Sequence, residues 1–146
     1  MMNIESKTLE ISSQGFNDII DITSELREML SESGFEEGQL FVFVPGSTAA
    51  LTTVEFEPGL EKDLKEFFEE WIPMNRRYHH NETWHDGNGY AHVRASMLKP
   101  SLNIPFKDNR LSLGTWQQVV FIDFDNRRRH RNLVIQIMGI KRQLFE

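Results

Sequence analysis

The sequence contains no cysteine among its 146 residues. Disulfide bonds, zinc-thiolate sites, iron–sulfur clusters and thiol nucleophiles are therefore excluded. The chain also lacks an apolar run approaching the roughly 18 residues that a membrane-spanning helix needs, and residues 1–14 contain no apolar core of a signal peptide. We therefore expect a cytoplasmic protein with no membrane partner.

Positive charge is scarce as well. Lysine and arginine number 16 against 22 aspartates and glutamates, which gives a formal net charge of −6. A protein that binds a nucleic-acid backbone over a wide surface needs the opposite balance. The sequence thus predicts no nucleic-acid partner, although a local basic pocket stays open.

The hydrophobic and charged residues that are present have an ordinary globular balance. Hydrophobic residues make up 39% and charged residues 26% of the chain. This composition is typical of a soluble domain with a real core. We expect a single domain over residues 1–146, near the usual domain size.

Hydrophobic periodicity in the first half predicts alternating strands and helices. A helix ends at Ser33 and Gly34, and its start is open between Phe16 and a cap at Asp21 or Thr23. The clearest amphipathic helix follows Pro58 and stops at Pro73. The other predicted elements are strands over residues 7–12, 39–44 and 51–57.

The second half is rich in strand patterns. A short helix over residues 90–98 is expected, with Asn88 as its cap and an anion pocket at its first amides beside His92. Strands are predicted over residues 100–106, 110–113, 117–124 and 132–138. The last is apolar on both sides, which favours a central strand covered on both faces.

Four of the five histidines lie in residues 79–92, HHNETWHDGNGYAH. Imidazoles and carboxylates are metal ligands and acid or base groups, so this stretch is a candidate functional site. A solvated polar loop is the competing interpretation, and the stretch alone does not decide between the two.

Four segments resemble the YjbQ-like family, often labelled secondary thiamine-phosphate synthase. They are PGSTAALTTVEFEPGL, YHHNETWHDGNGYAHVRAS, LSLGTWQQVVFIDFD and RRRHRNLVIQIMG. The resemblance implies an α/β (α+β) fold, a mixed β-sandwich with flanking helices, assembled as a homotrimer. The chain departs from the pattern in that Gly46 or Ser47 stands where many relatives carry a histidine. It also has Lys99 where a glycine is expected.

Matching motif positions gives a set of candidate site residues. The predicted catalytic residues are His80, His92, Glu55 and Asp86. The predicted substrate-binding residues are Ser47, Thr48, Asn88, Thr115, Trp116, Gln117, Arg127 and Arg129. Tryptophan can stack on a heterocyclic ring, and the arginines of an expected hairpin can clamp a phosphate. His80 and His92 with a carboxylate could hold a divalent metal, zinc or magnesium.

Three functions stay open at this point. The resemblance implies an enzyme that joins hydroxymethylpyrimidine diphosphate to thiazole phosphate. The alternatives are a non-catalytic trimeric module that binds a small anionic metabolite, and a metal-dependent hydrolase. All three share a small phosphorylated or anionic ligand as the expected partner.

Overall fold

The computed structural model describes residues 1–141. The fold is built on two antiparallel β-sheets. The strands are β1 (Met2–Ser13), β2 (Asp18–Asp21), β3 (Phe35–Phe43), β4 (Ala49–Val54), β5 (Ser101–Lys107), β6 (Arg110–Leu111), β7 (Gln118–Asp123) and β8 (Arg129–Lys141). The helices are α1 (Thr23–Ser33), α2 (Pro58–Trp71), α3 (His79–Trp84) and α4 (Gly89–Leu98). Among these residues, no helix is both long and apolar enough to cross a membrane.

The five-stranded sheet has the order β1-β8-β3-β5-β6, and the three-stranded sheet has the order β2-β7-β4. A first hydrophobic core fills the space between the two sheets, where Leu40 and Ile135 meet Phe121. A second core lies on the other face of the three-stranded sheet, where Ile122 packs with Phe68 of α2. The expected β-sandwich with flanking helices is therefore confirmed.

Strand β8 is interior in its sheet, but the prediction that both of its faces are covered is wrong. Leu133, Ile135 and Ile137 are buried, whereas Val134 and Met138 are 40% and 42% exposed. The two-sided burial belongs to β7 instead, because helices cover the outer face of the three-stranded sheet and leave that of the five-stranded sheet open. A two-sided apolar strand in the sequence thus does not identify which sheet is covered.

The segment before α1 is a strand rather than the first turns of a helix. Phe16 and Asn17 have positive φ angles of 51° and 65°, and β2 then pairs with β7. Asp21 accepts hydrogen bonds from the backbone N–H and the hydroxyl of Thr23, at 2.9 and 2.6 Å. The helix therefore begins at Thr23, so a start at Phe16 is wrong. The N-cap residue is Ile22, which makes no side-chain capping hydrogen bond, so the expected cap at Asp21 or Thr23 is wrong as well.

Helix α2 agrees with its amphipathic pattern and begins at Pro58, two residues before Leu60, the first apolar residue of that pattern. The Glu57 carboxylate accepts from the N–H groups of Gly59 and Leu60, which satisfies two of the free donors of the first turn. Strand β4 ends at Val54, so Glu55 lies beyond the strand that the sequence assigns to it. Strand β6 covers two residues instead of four.

Candidate functional site

The histidine stretch folds as α3, a turn and the first residues of α4. The turn brings the imidazole rings of His80 and His92 into contact, with ring centroids 4.2 Å apart. Nδ1 of His80 lies 3.6 Å from the Asp86 carboxylate. By contrast, His79 and His85 are exposed. The stretch therefore contains a defined histidine pair rather than only a solvated loop.

Asn88 occupies the cap position of α4, but its side chain makes no capping hydrogen bond. Its Nδ2 donates to Asp125 at 3.2 Å, and Oδ1 of Asn81 accepts from the Gly89 N–H at 2.8 Å. The expected side-chain cap is therefore wrong. The expected anion pocket of first-turn amides is weakened as well, because Asn81 already uses one of those donors.

Asp125 connects the histidine pair to the C-terminal half of the chain. It accepts from Asn88 and from the Thr48 hydroxyl, each at 3.2 Å, and pairs with Nε of Arg129 at 3.2 Å. Burial raises the pKa of Asp125, but the Asn126 N–H, the Asn88 amide and the Arg129 charge together hold that pKa below its ordinary value. Asp125 is thus a carboxylate at neutral pH.

The pKa of His92 lies below its ordinary value, first because the ring is partly buried and second because of the adjacent His80. Asp86 and Asp125 act in the opposite direction and do not reverse the shift. His92 is therefore a neutral imidazole at pH 7, which is the form that can accept a proton.

A buried ion pair supports this site from below. Nε and Nη2 of Arg131 each donate to the fully buried Asp123 carboxylate at 2.9 Å, and Nη2 also donates to the Thr48 hydroxyl at 2.8 Å. The Thr48 hydroxyl thus accepts from Arg131 and donates to Asp125. Thr48, expected to bind substrate, is buried and occupied in this network.

Sequence reasoning did not select Asp123 and Asp125 as site residues. Both lie at the end of the apolar run of β7, in the segment FIDFD. A carboxylate inside a buried run needs a charged partner or several hydrogen bonds. That requirement was the available signal, and Arg131 in the arginine-rich segment RRRHR was the available partner.

Two buried polar atoms of the histidine site have no hydrogen-bond partner. Within residues 1–141 the unpartnered buried side-chain atoms are Nδ1 of His80, Oδ1 of Asn88 and the Tyr90 hydroxyl. An unsatisfied buried polar atom costs about 1–3 kcal/mol, so native structures rarely keep one without a water or ligand. The first two belong to residues that the sequence assigns to the site.

The arginine cluster consists of Arg127, Arg128, Arg129 and Arg131. It lines a groove of about 450 Å³ together with Pro45 and His130. A hairpin is the wrong interpretation of this segment, because β7 and β8 belong to different sheets and residues 124–128 cross between them. Arg129 and Arg131 form ion pairs with the buried aspartates. Arg127 and Arg128 form none within the described residues and are exposed.

Ser47 lines a separate hollow beside His92. This hollow of about 340 Å³ is bordered by Gly46, Ser47, Ala49, His92, Ala95, Ser96 and Pro100. Ser47 is exposed, and a Cβ atom at Gly46 would lie 3.2 Å from Nη1 of Arg131. The small residues in place of a histidine thus leave open space next to the histidine pair.

Three predicted site residues lie elsewhere. Glu55, Thr115 and Trp116 line a cavity of about 400 Å³ at the far end of β4. One end of β4 pairs with Asp123 and the other with Gln118, a separation of roughly 17 Å at strand rise. A single chain therefore does not join these residues with His80 and His92 in one site.

Gln117 also has a structural role in this chain. Its Oε1 accepts from the Gly114 N–H at 3.0 Å and its Nε2 donates to the Thr53 hydroxyl at 3.1 Å. Both ends of the side-chain amide are thereby engaged in holding the turn. The side-chain amide of Gln117, which the sequence assigns to substrate binding, is therefore already hydrogen-bonded within the protein at both ends.

The donors near the histidine pair do not form a metal site as they are arranged. In the part of the chain that the structure describes, no group of three or more His, Cys, Asp or Glu side chains could hold a metal ion. Two imidazoles and one carboxylate at 3.6 Å from Nδ1 of His80 fall short of such a group. The divalent metal stays a prediction.

Comparisons with known proteins agree with this architecture. The family model described as "UPF0047 protein YjbQ-like" matches residues 7–140. A UPF0047 protein of Archaeoglobus fulgidus is 36% identical over 80% of this chain and 89% of its own length. The UPF0047 protein YugU of Bacillus subtilis is 34% identical over 91% and 98%.

Solved structures show the same fold. A YbjQ-like protein of unknown function from Sulfolobus solfataricus P2 has a TM-score of 0.90 and 29% identity, covering 95% of this chain and 99% of that one. A hypothetical protein from Aeropyrum pernix K1 has a TM-score of 0.86 and 33% identity, covering 92% and 98%. The chain belongs to the UPF0047 YjbQ-like family.

Proposed function

We propose that this protein binds a small phosphorylated metabolite across the histidine pair and the arginine groove, and acts on it by acid–base chemistry. The observation that carries the proposal is the pair of unpartnered buried atoms, Nδ1 of His80 and Oδ1 of Asn88. An amide oxygen can only accept a hydrogen bond, so it requires a donor. A hydroxyl or amino group of the ligand would supply that donor.

The arginine groove offers a binding surface for the anionic end of such a ligand, and Asp125 lies between this groove and the histidine pair. Asn88 and Arg129 both contact Asp125, so the histidine pair and the groove are neighbours. Arg127 and Arg128 carry guanidinium groups without an ion pair in the described residues, and a phosphate could accept from both. A molecule of metabolite size would span the two.

The histidine pair supports proton transfer at the donor end of the ligand. Neutral His92 can accept a proton from a ligand hydroxyl or amine, and His80 beside it can receive or return one. Such a group contributes typically about 10²- to 10⁴-fold to a rate. We therefore expect His92→Gln to lower turnover far more than binding.

Binding of pyrophosphate, measured by calorimetry at low salt, tests the anionic half of the site. The double substitution Arg127→Gln with Arg128→Gln should weaken the affinity roughly threefold to tenfold, as expected for charged hydrogen bonds near the surface. Arg110→Gln is the matched control, because Arg110 is exposed and lies on β6, away from this groove. Equal affinity of the double variant and the wild type would refute the groove assignment.

A more specific candidate reaction, which uses the arginine groove rather than proton transfer, is the joining of hydroxymethylpyrimidine diphosphate and thiazole phosphate; the resemblance and the groove support it. The bond between the methylene carbon and the diphosphate oxygen breaks, the thiazole nitrogen bonds to that carbon, and pyrophosphate leaves with the electron pair. Pyrophosphate release with both substrates, in wild type and in His80→Gln and His92→Gln, measures this activity. Binding of the diphosphate without any release would favour the non-catalytic module instead.

Assembly as a homotrimer is a further part of the proposal. The outer face of the five-stranded sheet exposes the apolar residues Ile4, Val134, Met138 and Ile140. A contiguous exposed apolar face on a soluble protein commonly marks an interface. Sedimentation of Val134→Lys with Met138→Lys should show monomers, and an unchanged trimer would place the interface on another surface.

A divalent metal at His80 and His92 is a separate proposal. Elemental analysis of the purified protein measures it directly, and zinc titration followed by the imidazole proton signals provides a readout independent of activity. Asp86→Asn should weaken zinc binding if this carboxylate is the third donor. The metal hypothesis would be refuted if the purified protein contained no metal and zinc did not shift the imidazole proton signals.

A further inference from the structure

We infer that the cavity at the far end of β4 is a second binding site, specific for a small organic cation. Its lining consists of Asp21, Thr23, Ser24, Arg27, Glu55, Phe56, Glu57, Thr115, Trp116 and Gln118. None of these residues contributes to the histidine pair or the arginine groove. The inference is therefore independent of the phosphorylated ligand proposed above.

Trp116 is presented to solvent by a turn that is held rigidly. Trp116 is 73% exposed, so its side chain contributes little to either core. The turn below it is closed by the hydrogen bond from the Gln117 N–H to the Gly114 oxygen at 3.1 Å, and by the Gln117 side chain, which bonds to Gly114 and Thr53. A fixed aromatic face that does not pack in the protein is a platform for a ligand.

Charge defines which ligand fits that platform. Three carboxylates and one guanidinium group line the cavity, so the lining has an excess of negative charge. Two of the carboxylates already accept hydrogen bonds within the protein: Asp21 accepts from Thr23, and Glu57 accepts from the first turn of α2. Within residues 1–141, Glu55 has no hydrogen bond or ion pair, so its carboxylate is available to a ligand.

A tryptophan face beside a free carboxylate recognises a cation. The indole attracts a positive charge placed over its ring, and the carboxylate neutralises the same charge from the side. A flat aromatic cation uses both, because it stacks on the indole while it carries the charge. Neutral rings gain only the stacking, and anions are repelled by the excess of carboxylates.

Nuclear magnetic resonance of the full chain tests the inference with 1-methylnicotinamide, a cation, against neutral nicotinamide. The Trp116 indole N–H signal should shift with the cation, which should bind about two- to fivefold more tightly than the neutral ring. Glu55→Gln should remove this preference. Trp116→Ala should weaken cation binding about fivefold or more.

Two substitutions serve as matched controls. Trp71→Ala and Glu66→Gln remove an exposed tryptophan and an exposed glutamate from α2, and both should leave the cation Kd unchanged. Pyrophosphate binding should also be unchanged in the Glu55 and Trp116 variants. Circular dichroism and thermal unfolding show that each variant is folded.

Three results would overturn the inference. Equal Kd values for the cation and the neutral ring would remove the charge selectivity. An unchanged cation Kd in Trp116→Ala and Glu55→Gln would place the binding elsewhere. Dissociation of an oligomer by Trp116→Ala, without an effect on cation binding, would assign this cavity to a second copy of the chain.

Discussion

Replacing Arg131 with methionine should strongly destabilise the fold. The substitution removes two hydrogen bonds of 2.9 Å to Asp123 and one of 2.8 Å to Thr48, and it leaves the fully buried Asp123 carboxylate without its counter-ion. Within residues 1–141, Asp123 then keeps only the Ser13 hydroxyl and the Asp125 N–H as donors. Breaking a buried ion pair on one side typically costs about 3–5 kcal/mol.

Urea unfolding at one fixed protein concentration measures this loss of unfolding free energy. Thermal unfolding should show it as well: at about 2–4 °C per kcal/mol for a chain near this size, the melting temperature should fall by roughly 6–20 °C. Arg128→Met is the matched control, since Arg128 is exposed and unpaired in the described residues, and should stay within about 0.5 kcal/mol of wild type.

Removing the charge of Asp123 tests the same ion pair from its other side. In the Arg131→Met background, Asp123→Asn should recover part of the lost stability, because it removes the buried negative charge. A double-mutant cycle should therefore give a coupling of about 2 kcal/mol between the two positions. A loss below about 1 kcal/mol for Arg131→Met, or a cycle without coupling, would show that Asp123 is solvated or neutral in the fold and would refute the reasoning.

Three further predictions concern the backbone and pH. Lys99 has φ 106° and ψ 155°, a region suited to glycine, so Lys99→Gly should raise the unfolding free energy by about 1 kcal/mol in urea. Gly15→Ala should destabilise far more than Gly34→Ala in the same assay: both have positive φ, but only at Gly15 would the new Cβ lie 2.3 Å from the Arg127 carbonyl oxygen. Because the pKa of His92 is lowered in the fold, the unfolded chain binds that proton first; stability should fall as pH drops below about 6.5, and His92→Gln should show a smaller fall. A larger loss of unfolding free energy in Gly34→Ala than in Gly15→Ala would contradict the steric prediction. An unchanged dependence of stability on pH in His92→Gln would contradict the prediction for His92.

Local rules were sufficient for several elements. Helix α2 follows from the spacing of its apolar residues, with a proline at its start and Glu57 as its cap. The strand signals of β3, β5 and β7 also match, since their alternation or apolar runs and their turn residues agree. The expected glycine at position 99 has a physical basis in the φ angle of Lys99. In each case the deciding contacts lie within a few residues along the chain.

The sequence alone determined the fold class, the family and the histidine stretch as a candidate site. Hydrophobic periodicity, turn chemistry and motif order depend on residues that lie close together along the chain. Only the tertiary structure decided which distant groups meet. It placed Asp123 and Asp125 under the site with Arg131, separated Trp116 and Glu55 from the histidines by the length of β4, and left one face of β8 open. These outcomes depend on which sheet each strand joins, and that choice is made by long-range packing and by the pairing of buried charges.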